Sequence, residues 1–487
     1  MEINELTTAE ARVWRAFARG EHVDFRTLPD DDPADGGSWG AERTVRAGVL
    51  RALLLDGPRE NGEVPSLTLA GARITGSLDL QYATVDHPVR LRHCHFEETP
   101  RFYGGRLREL NLSESVLPGL VSHAVRVDGV LRMTRARFHG TVRLAGAEIA
   151  GSLYLESARI DAPDAEGPVL QLNQATVGAD LWAPGLRTRG AVRLTGASVA
   201  GTVNLREAVL EAPGGTVLEA PYLVVGASVS ATCLRTRGRM DFRGARVTGA
   251  LDLSGASLSR PGGTALQITS AVIGELWLFD GERVEGALRL RRARLDSLRL
   301  DPAMVPGKVY LSDLTYTALV PHHPAARRLP MLERDGDGYV PHSYEQLTAA
   351  YRRIGDDDAA RLVQLAKLRR HRRTLRWYGR LWGRLQDMAV GYGFRPLRAG
   401  AWLLSLLAVG SLTYGLHHPE ALKPSESLEF SPVFYTLDLL LPIISFGQET
   451  AFAPRGGYQW LAYVLVLMGW ILASTVIAGV TRAVSRQ

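Results

Sequence analysis

Apolar residues recur through the middle of the chain in short pulses. Each pulse reads alanine, any residue, then Ile, Val or Leu, with a glycine nearby. Gly151-Ser-Leu-Tyr-Leu-Glu-Ser-Ala-Arg-Ile160, Gly201-Thr-Val-Asn-Leu-Arg-Glu-Ala-Val-Leu210 and Gly249-Ala-Leu-Asp-Leu-Ser-Gly-Ala-Ser-Leu258 carry the pattern. Gly129, Gly140 and Gly151 are eleven apart, and Gly178, Gly190 and Gly201 recur forty-eight positions on as Gly226, Gly238 and Gly249, with Gly274 and Gly286 continuing the series. A period of eleven or twelve is too short for a helical repeat. It predicts a β-solenoid over 65–305, built from very short strands, with aliphatic ladders inside and glycine at tight turns. Ile149, Leu155, Val199, Leu205, Val247 and Leu253 are expected to point inward.

The Ala-x-(Ile/Val/Leu) pulse resembles that of pentapeptide-repeat proteins. Ala72/Ile74, Leu80 and Ala83/Val85 place apolar positions five and six apart in alternation. The resemblance implies a four-sided, right-handed solenoid with two eleven-residue units per coil. At roughly 4.8 Å per stacked coil, some ten coils give a rod on the order of 50 Å long. Extra residues near Ala212–Gly215 and Arg260–Gly263 are expected to form corner loops.

Before the repeats, 1–64 reads as a helical cap. Thr7 or Thr8 starts a helix through Ala9–Arg19. A second helix is expected over Ala41–Leu55, with Val45, Val49, Leu50, Leu53 and Leu54 near one face. After them, 306–342 reads as a linker and 343–372 as a helical hairpin, opened by Ser343 and Gln346 as a capping box. A basic segment, 373–396, follows. Arg369, Arg370, Arg372, Arg373, Arg376, Arg380 and Arg384 alternate with Trp377, Leu381, Trp382 and Leu385. Such a stripe suits a helix lying on anionic lipid headgroups; the plainer reading is a solvated helix packed on its neighbours.

The last part, 397–487, is the most apolar. Stretches 399–416 and 457–480 are each long enough for a bilayer span, for which about 17–25 residues suffice. Between them lies a shorter segment, 432–449, expected to re-enter. Ser431-Pro432 starts a helix, Pro442 breaks it, and Asp438 is the one acid inside its apolar run, Pro432–Phe446. The layout resembles a two-span potassium-channel-type subunit, with Ser445–Glu449 where the filter would be. A Gly-Tyr-Gly cage is missing and Gly447 stands alone, so potassium selectivity is not implied. The pore-loop candidates are Asp438, Pro442, Ser445, Phe446, Gly447, Gln448 and Glu449. The rival reading packs an amphipathic helix on a two-helix anchor. Arg395, Arg398, Arg482 and Arg486 flank the spans, against Lys423 and Arg455 between them. The positive-inside rule then places both ends in the cytoplasm, and the polar, acidic N-terminal residues do not read as a secretory signal.

The formal net charge is only +6, so its clustering before the first apolar stretch matters more than its size. Cys94 and Cys233 offer no disulfide framework. His93 and His95 on a strand share one face while Cys94 takes the other, so no metal site is expected. Asp335-Gly-Asp-Gly-Tyr339 lacks the rest of a calcium loop. No phosphate loop, dinucleotide fingerprint, His-Glu-x-x-His or Gly-x-Ser-x-Gly occurs, so no cofactor is expected. Arg132, Arg135, Arg137 and Arg143 argue against DNA mimicry, and no nucleic-acid partner is expected. Ala41–Leu55, the repeats, Tyr344–Arg373 and Gly447–Arg482 together are similar to actinobacterial proteins labelled membrane-associated oxidoreductase, a label that implies redox activity. The leading expectation is a membrane-anchored cytoplasmic solenoid, a sensor or scaffold with a protein partner on its repeats. Its last part would form an oligomeric cation-permeable pore, a tetramer by analogy with two-span channels. A non-conducting scaffold and a membrane oxidoreductase are the alternatives.

Overall fold

The computed structural model describes residues 6–27, 31–162, 166–374, 396–422, 429–441 and 444–484. They belong to two compact units, Met1–Ile354 and Gly355–Gln487.

The first unit is a β-solenoid in which each turn has four short strands. One turn runs through Arg126–Val127, Leu131–Arg132, Arg137–Phe138 and Val142–Arg143; Glu148–Ile149 then lies parallel beside Arg126–Val127 and begins the next. A single interior column shows the stacking. Val85, Leu107, Val127, Ile149, Val177, Val199, Val225, Val247, Ile273, Leu295 and Tyr316 sit in register, one per turn, for about eleven turns. All of them are buried, as are Leu155, Leu205 and Leu253. Burying an aliphatic side chain is worth about 1.5–3 kcal/mol, and stacked columns multiply that term at every turn. The ladders run past residue 305, through Lys308–Tyr310 and Thr315–Val320.

Two kinds of small residue hold the turns tight. The alanine of each pulse follows a residue with left-handed backbone, as Ala147 follows Gly146 at φ 66°, and its N–H returns to the carbonyl of Leu144 at 3.1 Å. The alanine side chain packs on the inside of that corner, a position that Leu186, Leu223 and Leu234 take at other turns. The glycines of the series divide: Gly190, Gly238 and Gly286 take positive φ, as expected of turns, whereas others have a different job. At Gly178 a Cβ would sit 2.2 Å from the carbonyl oxygen of Ala150, and at Gly226 2.1 Å from that of Ala200. These glycines mark where backbones of successive coils approach closely, one turn apart. Ala212–Gly215 and Arg260–Gly263 lie at corners, between the third and fourth strands of their turns. There the register slips between Glu211 and Thr216 and between Ser259 and Thr264. Arg260 Nη2 donates to the carbonyl of Gly214 at 2.9 Å, tying one insert to the next.

The N-terminal end is closed by α1 (Thr8–Arg19), β1 (His22–Asp24), β2 (Thr44–Arg46) and α2 (Ala47–Asp56). β1 pairs with β3 (Leu67–Ala70) and β2 with β4 (Arg73–Thr75), both parallel, so this end adds rungs as well as helices. The helix expected from Ala41 therefore starts later. Ala41–Arg43 is a 3-10 turn, and β-branched Val45 stacks in the sheet against Ile74, both fully buried. Thr7 caps α1: its hydroxyl accepts the Glu10 N–H at 3.3 Å, while the Glu10 carboxylate accepts the Thr7 N–H at 3.0 Å. Glu10 also accepts from Arg46 N, Nε and Nη2 at 3.0, 2.8 and 2.7 Å.

At the other end, α3 (Ala325–Glu333) and α4 (Pro341–Arg353) follow the last rung. α4 starts at Pro341 rather than at a Ser343 cap, since Ser343 Oγ donates instead to the carbonyl of Leu311 at 3.4 Å.

The second unit contains α5 (Asp357–Thr374), α6 (Pro396–Leu416), α7 (Pro432–Leu440), α8 (Gln448–Ala451) and α9 (Gly457–Val484). α4 and α5 of the expected hairpin thus fall in different units. The expected spans 399–416 and 457–480 fall on α6 and α9, but among the described residues no helix is long and apolar enough to cross a membrane. Tyr414, Tyr435, Leu439, Leu440, Phe452 and Leu465 form the core of this unit. Helices approach closely at two glycines: a Cβ on Gly410 would lie 2.3 Å from Thr436 Cγ2, and one on Gly469 2.3 Å from the Leu440 carbonyl oxygen.

Candidate functional site

Residues 444–449 fold around one carboxylate. Asp438, on α7, is 5% exposed. Its Oδ2 accepts the N–H of Gln448 at 2.7 Å and of Glu449 at 3.2 Å, and its Oδ1 accepts the N–H of Phe446. No cation pairs with it among the described residues; three backbone donors satisfy the charge instead, as they can for a buried carboxylate. The chain reverses at Gly447, whose φ of 81° suits a residue without Cβ. Ser445 Oγ accepts the Gly447 N–H at 3.3 Å, and Thr450 Oγ1 donates to the Gly447 carbonyl at 3.0 Å.

Gln448 is buried and locks the start of α7. Its Oε1 accepts the Ser431 N–H at 3.3 Å and its Nε2 donates to the Glu429 carbonyl at 3.0 Å. Five of the seven pore-loop candidates thus line one turn or face it: Asp438 and Gln448 inside, Ser445, Phe446 and Glu449 exposed. Gly447 is its hinge, and Pro442 lies outside the described residues. The sequence singled out Asp438 as a lone acid. It did not distinguish an acid that faces an ion from one that faces the backbone. Asp438 takes the N–H groups of Phe446, Gln448 and Glu449 and Ser445 that of Gly447, and the acid left on the open side of the turn is Glu449.

The basic stripe is partly described. Arg369 and Arg370 lie on α5, exposed and half-buried, and both have partners. Arg372 and Arg373 are on the same helix backbone, and Arg376, Arg380 and Arg384 lie outside the described residues.

In the solenoid, His93 Nε2 sits 2.6 Å from Glu114, and His95 Nδ1 sits 2.9 Å from the Pro33 carbonyl oxygen. Burial pushes the His93 imidazole down, against the pull of Glu114. Cys94 is buried between them, which pushes its thiol up to about 12. The three do not converge, and among the described residues no cluster of His, Cys, Asp or Glu has the arrangement of a metal site. Asp335 is buried and accepts the N–H of Asp337 at 2.9 Å and of Leu311 at 3.3 Å. That loop is a turn docked on the last coils.

Comparison with family models, with curated proteins and with solved structures found no match to this chain.

Proposed function

We propose that this protein is a β-solenoid scaffold held at a lipid bilayer by its C-terminal helical unit. One observation carries the reading. The interior of that unit is already filled by its own aromatic and aliphatic core, yet large apolar side chains remain outside. Leu404 is 67% exposed and Leu412 68% on α6; Trp460 is 73% and Leu467 62% on α9. Each such side chain left in water forgoes about 1.5–3 kcal/mol of burial, and exposed apolar surface of this extent marks a membrane or partner face. Arginines before α6 and at the end of α9 favour a cytoplasmic position for both flanks. The basic stripe from Arg369 to Arg384 would meet anionic headgroups. The likeness of the repeats to pentapeptide-repeat proteins supports the scaffold half of the proposal, with a protein partner on the outward faces of the coils.

The test is extraction of membranes from cells expressing the full-length chain with alkaline carbonate. Retention in the pellet is the expected result, and release into the supernatant would sink the proposal. Single cysteines at Ser425 and Ser485 then read the orientation. An impermeant reagent on intact cells should reach Ser425→Cys and spare Ser485→Cys.

The Asp438-centred turn favours a second reading, in which several copies enclose a cation path. With its N–H groups taken by Asp438 and Ser445, the turn presents Glu449 on its open side, a group suited to cations. One such turn cannot enclose a pore, so this reading requires a homo-oligomer, most simply a tetramer. The mass of the detergent-solubilised complex and bilayer recordings decide it. A monomer without current at any voltage leaves the anchor alone, and Gly447→Val should abolish any current found. A coloured purified protein would instead favour the oxidoreductase alternative.

A further inference from the structure

The end of the solenoid holds a cavity of about 170 Å³ between strand Thr315–Val320, the segment leading into α3, and the last turn of α4. Arg328 of α3 lines it and is only 2% exposed. Its guanidinium donates to backbone carbonyls, to Pro321 at 2.5 Å and Leu300 at 3.5 Å. Among the described residues no carboxylate forms an ion pair with it; Asp301 acts on it only at a distance. Removing one partner of a buried ion pair typically costs several kcal/mol, because the remaining charge is left uncompensated. Carbonyl oxygens satisfy donors here but bring no negative charge.

The surroundings add positive character. Arg353 reaches the same cavity from α4 and donates to the Thr317 carbonyl. His323 lines it, and Tyr351, buried, donates its hydroxyl to the His323 carbonyl at 2.6 Å. The remaining walls are mainly hydrocarbon, from Leu319, Val320 and Ala350, with Ile354 at the mouth 58% exposed. A dry apolar cavity of about 150 Å³ accepts benzene. The space therefore suits one ring or a short alkyl chain, and the buried guanidinium suits a carboxylate, which it can hold through two parallel N–H···O bonds.

We propose that the cavity beneath Arg328 binds a small monocarboxylate with an apolar body, of about the size of benzoate. A ligand there would touch the last rung of the solenoid and both helices that follow it. This inference is independent of the membrane reading, since every residue in it lies in the first unit.

Benzoate is the probe, with benzyl alcohol as its neutral counterpart and inorganic phosphate as a hydrocarbon-free anion. Calorimetric titration of the full-length protein should show saturable benzoate binding and at least tenfold weaker binding of benzyl alcohol and of phosphate. Arg328→Met should abolish benzoate binding. If that variant fails to fold, Ile354→Trp narrows the mouth from an exposed position and should weaken benzoate at least tenfold with the melting temperature unchanged. Arg353→Ala should weaken it severalfold. No benzoate binding at millimolar concentration, equal affinity for benzyl alcohol, or binding of phosphate in preference to benzoate would each overturn the proposal. So would benzoate binding that survives both Arg328→Met and Ile354→Trp.

Discussion

Replacing Glu10 by Gln should loosen the N-terminal end of the solenoid, by an amount that depends on pH. The carboxylate is fully buried and joins three elements: it caps α1 through Thr7 and receives the guanidinium and backbone N–H of Arg46 on β2. Burial alone would raise its pKa; the Arg46 guanidinium and the two N–H donors outweigh burial and hold it at about 2, against an ordinary 4.5. At 1.36 kcal/mol per unit this preference is worth about 3 kcal/mol. Arg46 is half exposed, so screening reduces the figure to about 2–3 kcal/mol. Because the folded-state pKa is depressed, the contribution is complete above about pH 4.5 and is lost as pH falls through about 2. Amide hydrogen exchange of Val13, Ala16 and Phe17 in the full-length chain reads the local opening of α1. Against wild type at the same pH, Glu10→Gln should lower protection at pH 7 by roughly 30–150-fold. The two proteins should converge near pH 2. Equal protection at pH 7, or a difference that persists unchanged to pH 2, would refute the reasoning.

Leu205→Asp puts a charge into an aliphatic column and should melt local coils, seen as lost strand signal in circular dichroism and a lowered melting temperature; an unchanged melt would contradict the interior assignment. Gly226→Val drives a side chain against the Ala200 carbonyl and should cost about 1–3 kcal/mol or more. Gly262→Ala, where only the left-handed backbone resists and no atom is near, should cost about 1–2 kcal/mol, so the two melts should differ in that order. Asp438→Ala removes the shared acceptor of the 446–449 turn and should speed amide exchange at Phe446, Gln448 and Glu449 at least tenfold. Exchange there equal to wild type would show that another group holds the turn.

The ladders were legible because their signal is local and repeated. Ile149, Val199 and Val247 share one place in the pulse and Leu155, Leu205 and Leu253 another, and each place in the pulse is one column in the stack. The glycines were legible only in part for a physical reason: a residue without Cβ serves both a positive-φ turn, as at Gly190, Gly238 and Gly286, and a close approach, and spacing alone does not separate the two. Gly226 proved to be the second kind, and the left-handed corners are often held by other residues, such as Arg135 and Glu207. The spacing of its neighbours places Val45 on a helix, but its partner Ile74 is distant in sequence and draws it into a strand. The same limit applies to the Asp438 turn. Composition marked the acid, the proline and the glycine, whereas the lock formed by Gln448 depends on Ser431 and Glu429 backbone groups that carry no side-chain signature. Arg328 gave no signal at all, since one arginine in an arginine-rich chain becomes notable only when its neighbours bring no acid.

The paired strands β1 and β2 have a consequence for growth. A parallel stack has two open ends, and each is a template whose free N–H and C=O groups would accept another chain in register. At the N-terminal end those groups on β3 and β4 are already used by β1 and β2. The outermost rung is thereby reduced to two three-residue strands with helices beside them. Such a short edge offers an incoming copy little to pair with. Removing residues 1–64 would uncover β3 and β4 and turn a capped rod into a seed for end-to-end filaments. The cap is in this sense a chain terminator, setting the length of the stack as well as shielding its interior.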